Sequence, residues 1–353
     1  DRQTDRQTDR QTDRQTDTHT HTHTQRERER ERDRQTQIRA DRERERLERE
    51  RERLQRMEGK AKEHFEVWGR ADSAGFQTIV SVSQLLEEQF PGGASYTFHP
   101  LDPAQWNFFV KRTQREDPDL TVDLEKGHLL YNTQRTIVGD KTVFAAFVYD
   151  TFGYEFEHPE SYYHELAKES FIAMLRSRKH DFVYMDLACD GEVLGRMLIE
   201  LYTDFCPKGC ENFQRLCQGT EGGVGYEGTP IHRVVKGGWL QGGDVVSGAG
   251  NGYHSAFPEQ EVFEDECFEL HHNRPGVVGY VNKGRHSNSS QFYITFAEAE
   301  WMDHKYEAFG VVVLGMPLLK QVESLSTRNQ RPNPELTISQ CGLLDLSSTS
   351  QLP

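Results

Sequence analysis

The sequence predicts a mainly β closed antiparallel barrel with two capping helices over residues 180–345, preceded by an α/β domain over 60–178 and a low-complexity N-terminus over 1–56. Three observations predict this. Beyond residue 180 the chain breaks into many short apolar stretches bounded by Gly, Asn, Asp and Pro, the pattern of strands joined by tight turns. Two stretches there carry helical spacing, and dense strands with two helices suit a barrel filled by its own side chains. Between 60 and 178 strand-like and helix-like runs alternate instead, as in an α/β layer.

Residues 1–56 run through four copies of Asp-Arg-Gln-Thr, then alternating Thr-His, then alternating Arg-Glu. Simple DNA repeats encode all three: GACA repeats give the first, CA repeats the second and GA repeats the third. This segment is therefore expected to be a translated microsatellite, with Met57, the first methionine, as the true start. The alternative is a real charged tail. Its Arg-Glu run could form a lone helix through opposite-charge neighbours, with no apolar face to bury.

In the next segment, 65–69 reads as a strand. A helix follows at 78–90, with Ile79, Val82, Leu85, Leu86 and Phe90 at helical spacing, ended by Pro91-Gly92-Gly93. A strand at 95–99 precedes a helix at 103–112 whose Trp106, Phe109 and Val110 face inward. Residues 128–149 hold apolar runs without a clear period. A helix at 159–178 turns Tyr162, Leu166, Phe171 and Leu175 inward, and 177–180 is the linker. This β-α-β-α opening resembles the thioredoxin/glutaredoxin-like superfamily. There the first strand leads to a redox cysteine at a helix N-terminus, where the helix dipole lowers the thiol pKa. Here the corresponding residues are Ser73-Ala74-Gly75-Phe76. The resemblance thus implies a redox-dead scaffold or docking module, its protein partner unknown.

Past residue 180, strands are expected at 182–187 and 195–202, with Cys189-Asp190-Gly191-Glu192 as the hairpin turn. A helix at 207–218 has Pro207 in its first turn, Gly219 just past its end and an inward stripe of Cys210, Phe213, Leu216 and Cys217. Strands follow at 231–235, 239–244, 276–282, 290–296 and 309–313, then a helix at 317–325 and a last strand at 335–343. Residues 346–353 form a C-terminal tail.

Residues 1–56 hold 17 Arg against 15 acidic groups, so the remaining 297 residues carry a net charge of −17. Such a surface repels phosphate backbones, which argues against a nucleic-acid partner. No run from Met57 onward approaches the 18 apolar residues of a membrane span, so no membrane partner is expected. The six cysteines form no CxxC pair, and no metal site or cofactor is implied. Cys206, Cys210 and Cys217 share one helical stripe and read as small buried hydrophobes. Scattered free thiols suit a reducing compartment, and a cytoplasmic location is expected.

Three blocks in order remain: Ile231-His232-Arg233-Val234-Val235 with Gln241-Gly242-Gly243-Asp244, then the stretch from Val281-Asn282 to Gln291-Phe292-Tyr293-Ile294, then Glu300-Trp301-Met302-Asp303. Together they resemble the cyclophilin family of peptidyl-prolyl isomerases, over essentially all of 181–345. The resemblance implies an eight-stranded barrel and X–Pro isomerisation. An X–Pro bond resists rotation by roughly 18–20 kcal/mol, and halfway round the prolyl nitrogen becomes a hydrogen-bond acceptor. A fixed guanidinium aimed at that nitrogen binds the twisted state best, with no covalent step. By resemblance Arg233 is that donor, and Gln241 holds it. Asn282 pairs with the substrate backbone, Gln291 contacts the residue near proline, Tyr293 and Met302 line the proline pocket, and Trp301 walls it. His232 reads as structural, since the reaction transfers no proton.

The chain also departs from the family pattern. Lys236-Gly237-Gly238-Trp239 replaces the usual Pro-Gly-Phe-Met, so the pocket phenylalanine is Gly238 and its neighbour is Trp239. Val281 stands for an alanine, Tyr293 for a phenylalanine and Tyr306 for a histidine. Losing the phenylalanine removes apolar floor worth on the order of 1.5–2 kcal/mol to a bound proline. Trp239 refills that hole or plugs it. Two functions stay open: an isomerase of reduced or altered specificity acting on proline-containing polypeptides, or a module that holds such segments without useful turnover. Trp301 implies cyclosporin binding, which the pocket changes weaken.

Overall fold

Alternating apolar residues ahead of Ser73 fold as strand β1 (Glu63–Arg70), which hands over to helix α1 (Ala74–Gln89). The computed structural model describes residues 63–352, apart from 92, 117–126, 133–136, 156–157 and 259, together with Arg34, Gln37 and Arg44. The repeat reading of 1–56 lies otherwise outside the described residues. Helix α1 begins at residue 74 rather than 78 because Ser73, extended at φ −92° and ψ 122°, caps it by accepting from the Phe76 N–H at 3.4 Å.

The chain divides into two compact units, residues 1–62 with 147–154, and residues 63–146 with 155–353. In the first, Phe147 meets Phe152 edge-on at 6.0 Å.

The second unit contains two larger sheets. In the first, β1 lies parallel to β2 (Ala94–Leu101) and antiparallel to β3 (His128–Asn132), which pairs with β4 (Ile137–Gly139), giving the order β2-β1-β3-β4. Helix α2 (Pro103–Glu116) follows β2, α3 (Lys141–Phe152) follows β4, and α4 (Glu160–Ser177) closes the segment. The stretch 128–149, without a period in the sequence, thus contains two short strands and most of a helix. The side chains of Leu129 and Leu130 lie outside the described set. The inward face of α4 is Tyr163, Ala167, Phe171 and Leu175. Tyr162, expected inward, is 44% exposed. Counting back in fours from Leu175 reaches Ala167 and Tyr163, and small Ala167 sets that close-packed row.

The second sheet has eight antiparallel strands in the order β14-β5-β6-β11-β9-β10-β8-β7. They are β5 (Asp181–Cys189), β6 (Glu192–Leu201), β7 (Arg233–Val235), β8 (Trp239–Gly242), β9 (Val277–Tyr280), β10 (Phe292–Thr295), β11 (Ala308–Leu314) and β14 (Leu336–Leu343). A two-strand ladder of β12 (Thr327–Arg328) and β13 (Arg331–Pro332) precedes the last. The sheet curls until the peptide just ahead of β7 meets β14: Ile231 N–H donates to Leu336 O at 2.8 Å, and Ile338 N–H donates to Thr229 O at 2.9 Å. Helices α5 (Pro207–Gln218) and α6 (Met316–Ser324) cover the core. On α5, Cys210, Phe213, Leu216 and Cys217 are all buried, as is Cys206 ahead of it.

Strand β8 stops at Gly242 rather than at 244. Gly243 sits at φ +77°, and a Cβ there would lie 2.5 Å from Ser290 O, so the chain turns out of the ladder at this glycine. The turn delivers Asp244 into a cage. Oδ1 accepts from the N–H groups of Val246 and Ser247 at 3.1 and 2.9 Å. Oδ2 accepts from Ser247 Oγ at 2.7 Å and from Gly250, Asn251 and Gly252 N–H at 2.7, 3.0 and 3.0 Å. Burial pushes this carboxyl up, yet the hydrogen bonds outweigh it and hold the pKa far below the usual range. A depressed folded pKa stabilises above the unfolded value of about 3.9 and is lost as pH falls. Asp244→Ala is expected to destabilise by about 1–3 kcal/mol at neutral pH and to flatten the loss of stability on acidification, both read by thermal unfolding.

The two sheet-bearing parts of this unit share packing. Ala71, Phe171 and Leu175 join Phe182, Leu198, Val311 and Val313 in one apolar cluster, against which Leu346 and Leu352 also pack.

Candidate functional site

Antiparallel register lays four residues in a row across β7, β8, β10 and β9. Arg233 is opposite Gln241, Gln241 opposite Tyr293, and Tyr293 opposite Gly279. Two residues before Gln241, and so on the same face, comes Trp239. Sheet geometry alone thus brings the candidate arginine, its supporting glutamine and the pocket aromatics together.

A hydrogen-bonded chain links the polar members. Arg233 Nη1 donates to Gln241 Oε1 at 3.4 Å. Gln241 Nε2 donates to Gln291 Oε1 at 3.0 Å, and Gln291 Nε2 donates to Gly252 O at 2.8 Å. Gly252 belongs to the loop that Asp244 cages, so the rigidity of that loop reaches the guanidinium through two buried amides. Neither glutamine can rotate without leaving a buried polar atom unpaired.

Arg233 has a further partner that the sequence did not reveal. Its Nε donates to Gln330 Oε1 at 2.7 Å, and Val234 N–H donates to Gln330 O at 2.6 Å. Gln330 sits in the β12–β13 turn, where Asn329 and Gln330 both take left-handed φ, at 50° and 67°. Two such residues in succession make a type I′ hairpin turn, for which glutamine is a poor choice. The mismatch of residue and turn was the available signal. Gln330→Gly is expected to raise stability by about 0.5–1 kcal/mol and to loosen Arg233, read by thermal unfolding and by relaxation of its Nε–H signal.

The apolar members form one cluster of Tyr293, Ala299 and Met302, with Trp239, Val281 and Tyr306 packed against it. Trp301 stands at the rim, 53% exposed, its ring 5.9 Å from Trp239 and 6.4 Å from Tyr306. Trp239 therefore belongs to the groove and not to the core beneath the curled sheet. It also lies under the arginine, whose guanidinium carbon is 5.3 Å from its ring centre. Tyr293 is buried, and its ring runs over Gly279, where a Cβ would come within 2.1 Å of the hydroxyl. It forms the floor of the groove rather than an open wall.

Beneath this floor is a clasp that sequence motifs did not disclose. His272 Nδ1 is 2.6 Å from Asp303 Oδ1, and His272 Nε2 is 2.6 Å from the Tyr293 hydroxyl. With Nδ1–H donating to the carboxylate, Nε2 accepts from the Tyr293 hydroxyl. Burial lowers the His272 pKa against the pull of Asp303 and raises that of Tyr293. Asp303 also accepts from His272 N–H at 2.8 Å and pairs with His271 at 3.1 Å. It follows directly after Trp301 and Met302, so the clasp fixes the loop carrying both.

Asn282 stands to one side. Its Nδ2 donates to Lys305 O at 3.0 Å, which ties the exit of β9 to the loop bearing Trp301 and Tyr306. His232 is buried against Gly250, where a Cβ would come within 2.8 Å of the ring, and burial lowers its pKa. It is neutral at pH 7 and faces the loop rather than the groove.

The family model described as cyclophilin type peptidyl-prolyl cis-trans isomerase/CLD matches residues 184–343. The chain is 35% identical over 286 residues to a Bos taurus protein called "probable inactive peptidyl-prolyl cis-trans isomerase-like 6", covering 79% of this chain and 92% of that one. Proteins of the same description from Mus musculus and Homo sapiens are 36% and 35% identical over 293 and 274 residues, covering 79% and 76% of this chain and 90% and 87% of theirs.

Proposed function

Since this chain belongs to the cyclophilin-type peptidyl-prolyl cis-trans isomerases, we propose that its groove recognises extended, proline-containing polypeptide segments and isomerises them slowly. One observation carries this reading: Trp239 packs against the pocket cluster beside Trp301 and under Arg233, so an indole fills apolar space next to the arginine. The name of the relatives, with its "inactive", agrees with it. In the roles proposed, Arg233 faces the prolyl nitrogen, Gln241 and Gln291 orient it, and Trp301, Met302 and Tyr306 line the apolar side. Asn282 meets the substrate backbone. A guanidinium held against an indole and two glutamine oxygens must give up part of that contact to follow the twisting peptide, and this reduces transition-state binding.

The eight-stranded sheet is proposed to close as a barrel through the bonds between residues 229–231 and β14. The β-α-β-α-β-β-α order of 63–152 supports a thioredoxin-like assignment for that segment, with Ser73 where a redox thiol would stand. A cytoplasmic setting fits six free cysteines.

A second reading, a competent isomerase, is favoured by the Arg233–Gln241 contact at 3.4 Å. Titration with paired X-Pro and X-Ala peptides, followed through the indole N–H signals of Trp239 and Trp301, tests recognition. X-Pro peptides are expected to shift both signals at least about tenfold more tightly than X-Ala peptides, a difference of roughly 1.4 kcal/mol. Equal response to both would sink the proline preference.

A further inference from the structure

Away from the groove, a buried carboxylate and two thiols share a corner that peptide recognition does not use. Cys206 is fully buried ahead of α5, and its Sγ is 3.7 Å from that of Cys267. Cys267 is half-exposed, in the irregular stretch between Phe263 and β9. The Cys206 thiol donates to Ala308 O at 3.6 Å, and the residue before Ala308 is Glu307, a wholly buried carboxylate. Its Oε1 accepts from the N–H groups of Glu266 and Cys267 at 3.1 and 3.4 Å, and its Oε2 accepts from Asn288 Nδ2 at 2.7 Å.

We propose that Cys206 and Cys267 are a redox pair that a peroxide closes into a disulfide, with Glu307 as the proton acceptor for the buried thiol. A disulfide needs about 2.05 Å between sulfurs. The approach is short, and Cys267 lies outside regular strand or helix. Exposure sets the order of events. The Cys267 sulfur takes one oxygen from the peroxide to give a sulfenic acid, and the first water leaves. Cys206 then attacks the Cys267 sulfur as Glu307 takes its proton. The sulfenic S–O bond breaks, and its oxygen departs as a second water with that proton. Two thiols lose two electrons, and one peroxide is reduced to two waters.

Electrostatics fit this order. Burial raises the Cys206 thiol far above its ordinary value, so it does not react first. Burial also lifts Glu307 to about 7, against the pull of its hydrogen bonds, which suits a group that takes and returns a proton near neutrality. Closing the pair anchors the segment that continues to His271 and His272, and hence to Asp303 and the Trp301 loop.

The test is hydrogen peroxide treatment of the full chain, alkylation of free thiols, digestion and mass spectrometry. A peptide linking Cys206 to Cys267, released by dithiothreitol, is expected. In Cys206→Ala the linkage should vanish while sulfenic and then sulfinic acid accumulate on Cys267. Glu307→Gln should slow closure at least about tenfold without slowing sulfenic acid formation. The pair is overturned if wild-type Cys267 reaches sulfinic acid as fast as it does in Cys206→Ala, or if the linkage runs through Cys217 or Cys341. Unchanged closure in Glu307→Gln removes the carboxylate from the mechanism. The wild-type result is independent of how well any variant folds.

Discussion

Arg178→Met is expected to destabilise the protein by about 3–5 kcal/mol. Arg178 ends α4 and projects between two carboxylates that are themselves almost fully buried. Its Nη2 pairs with Asp102 at 2.8 Å and its Nη1 with Glu200 at 2.7 Å. Asp102 caps α2 by accepting from Gln105 N–H at 2.8 Å, and Glu200 lies on β6 and holds His180 at 2.8 Å. Removing the guanidinium leaves Asp102 and Glu200 as two almost fully buried negative charges. Coulomb attraction to the arginine opposed their desolvation, and methionine offers none. Denaturant unfolding of the variant measures the loss. The double change Arg178→Met with Glu200→Gln should recover part of it, because one orphaned charge is gone.

The second large effect concerns turnover. Restoring the family's pocket with Gly238→Phe and Trp239→Met is expected to raise X–Pro isomerisation by about 10–30-fold, the equivalent of the roughly 1.5–2 kcal/mol that an apolar floor gives a bound proline. Gly238 is not in the left-handed region, so a side chain is conformationally allowed there. Its Cβ would stand 3.2 Å from Val235 Cγ1 and 3.3 Å from Val235 O, so the side chain and the turn must each give by a few tenths of an ångström. Trp239→Met alone should also help by vacating the space between Arg233 and Trp301, with a smaller gain because the floor stays open. Peptide exchange rates across the three proteins give the comparison. Equal rates in all three would mean that the indole does not obstruct the substrate.

How far the sequence discloses this molecule varies with the kind of signal. Helix α5 was legible to the residue, because Pro207, Gly219 and the Cys210-Phe213-Leu216-Cys217 stripe each encode a local rule. The row Arg233–Gln241–Tyr293 was legible as motif but not as geometry, since its order across four strands depends on long-range pairing. The sequence does not distinguish Tyr162 from Tyr163 on α4, because adjacent tyrosines satisfy the apolar pattern equally, and the buried row runs through Tyr163 and Ala167. Gln330 and His272, the partner of Asp303, escape because no short motif joins them to the groove. A turn, an irregular loop and a 3₁₀ segment are brought to it by the tertiary fold. The central ambiguity, whether Trp239 enters the core or the groove, could not be read from the sequence, since an aromatic at a strand end suits both.

The most direct test of a groove that binds proline but turns it over slowly is NMR exchange spectroscopy of an X-Pro peptide saturating the wild-type protein, with Arg233→Ala alongside. The expected result is peptide signals shifted by binding, with cis/trans exchange accelerated at least about tenfold less than in the Gly238→Phe, Trp239→Met protein. Fast exchange in the wild type that vanishes in Arg233→Ala would contradict it, making Trp239 part of a working pocket.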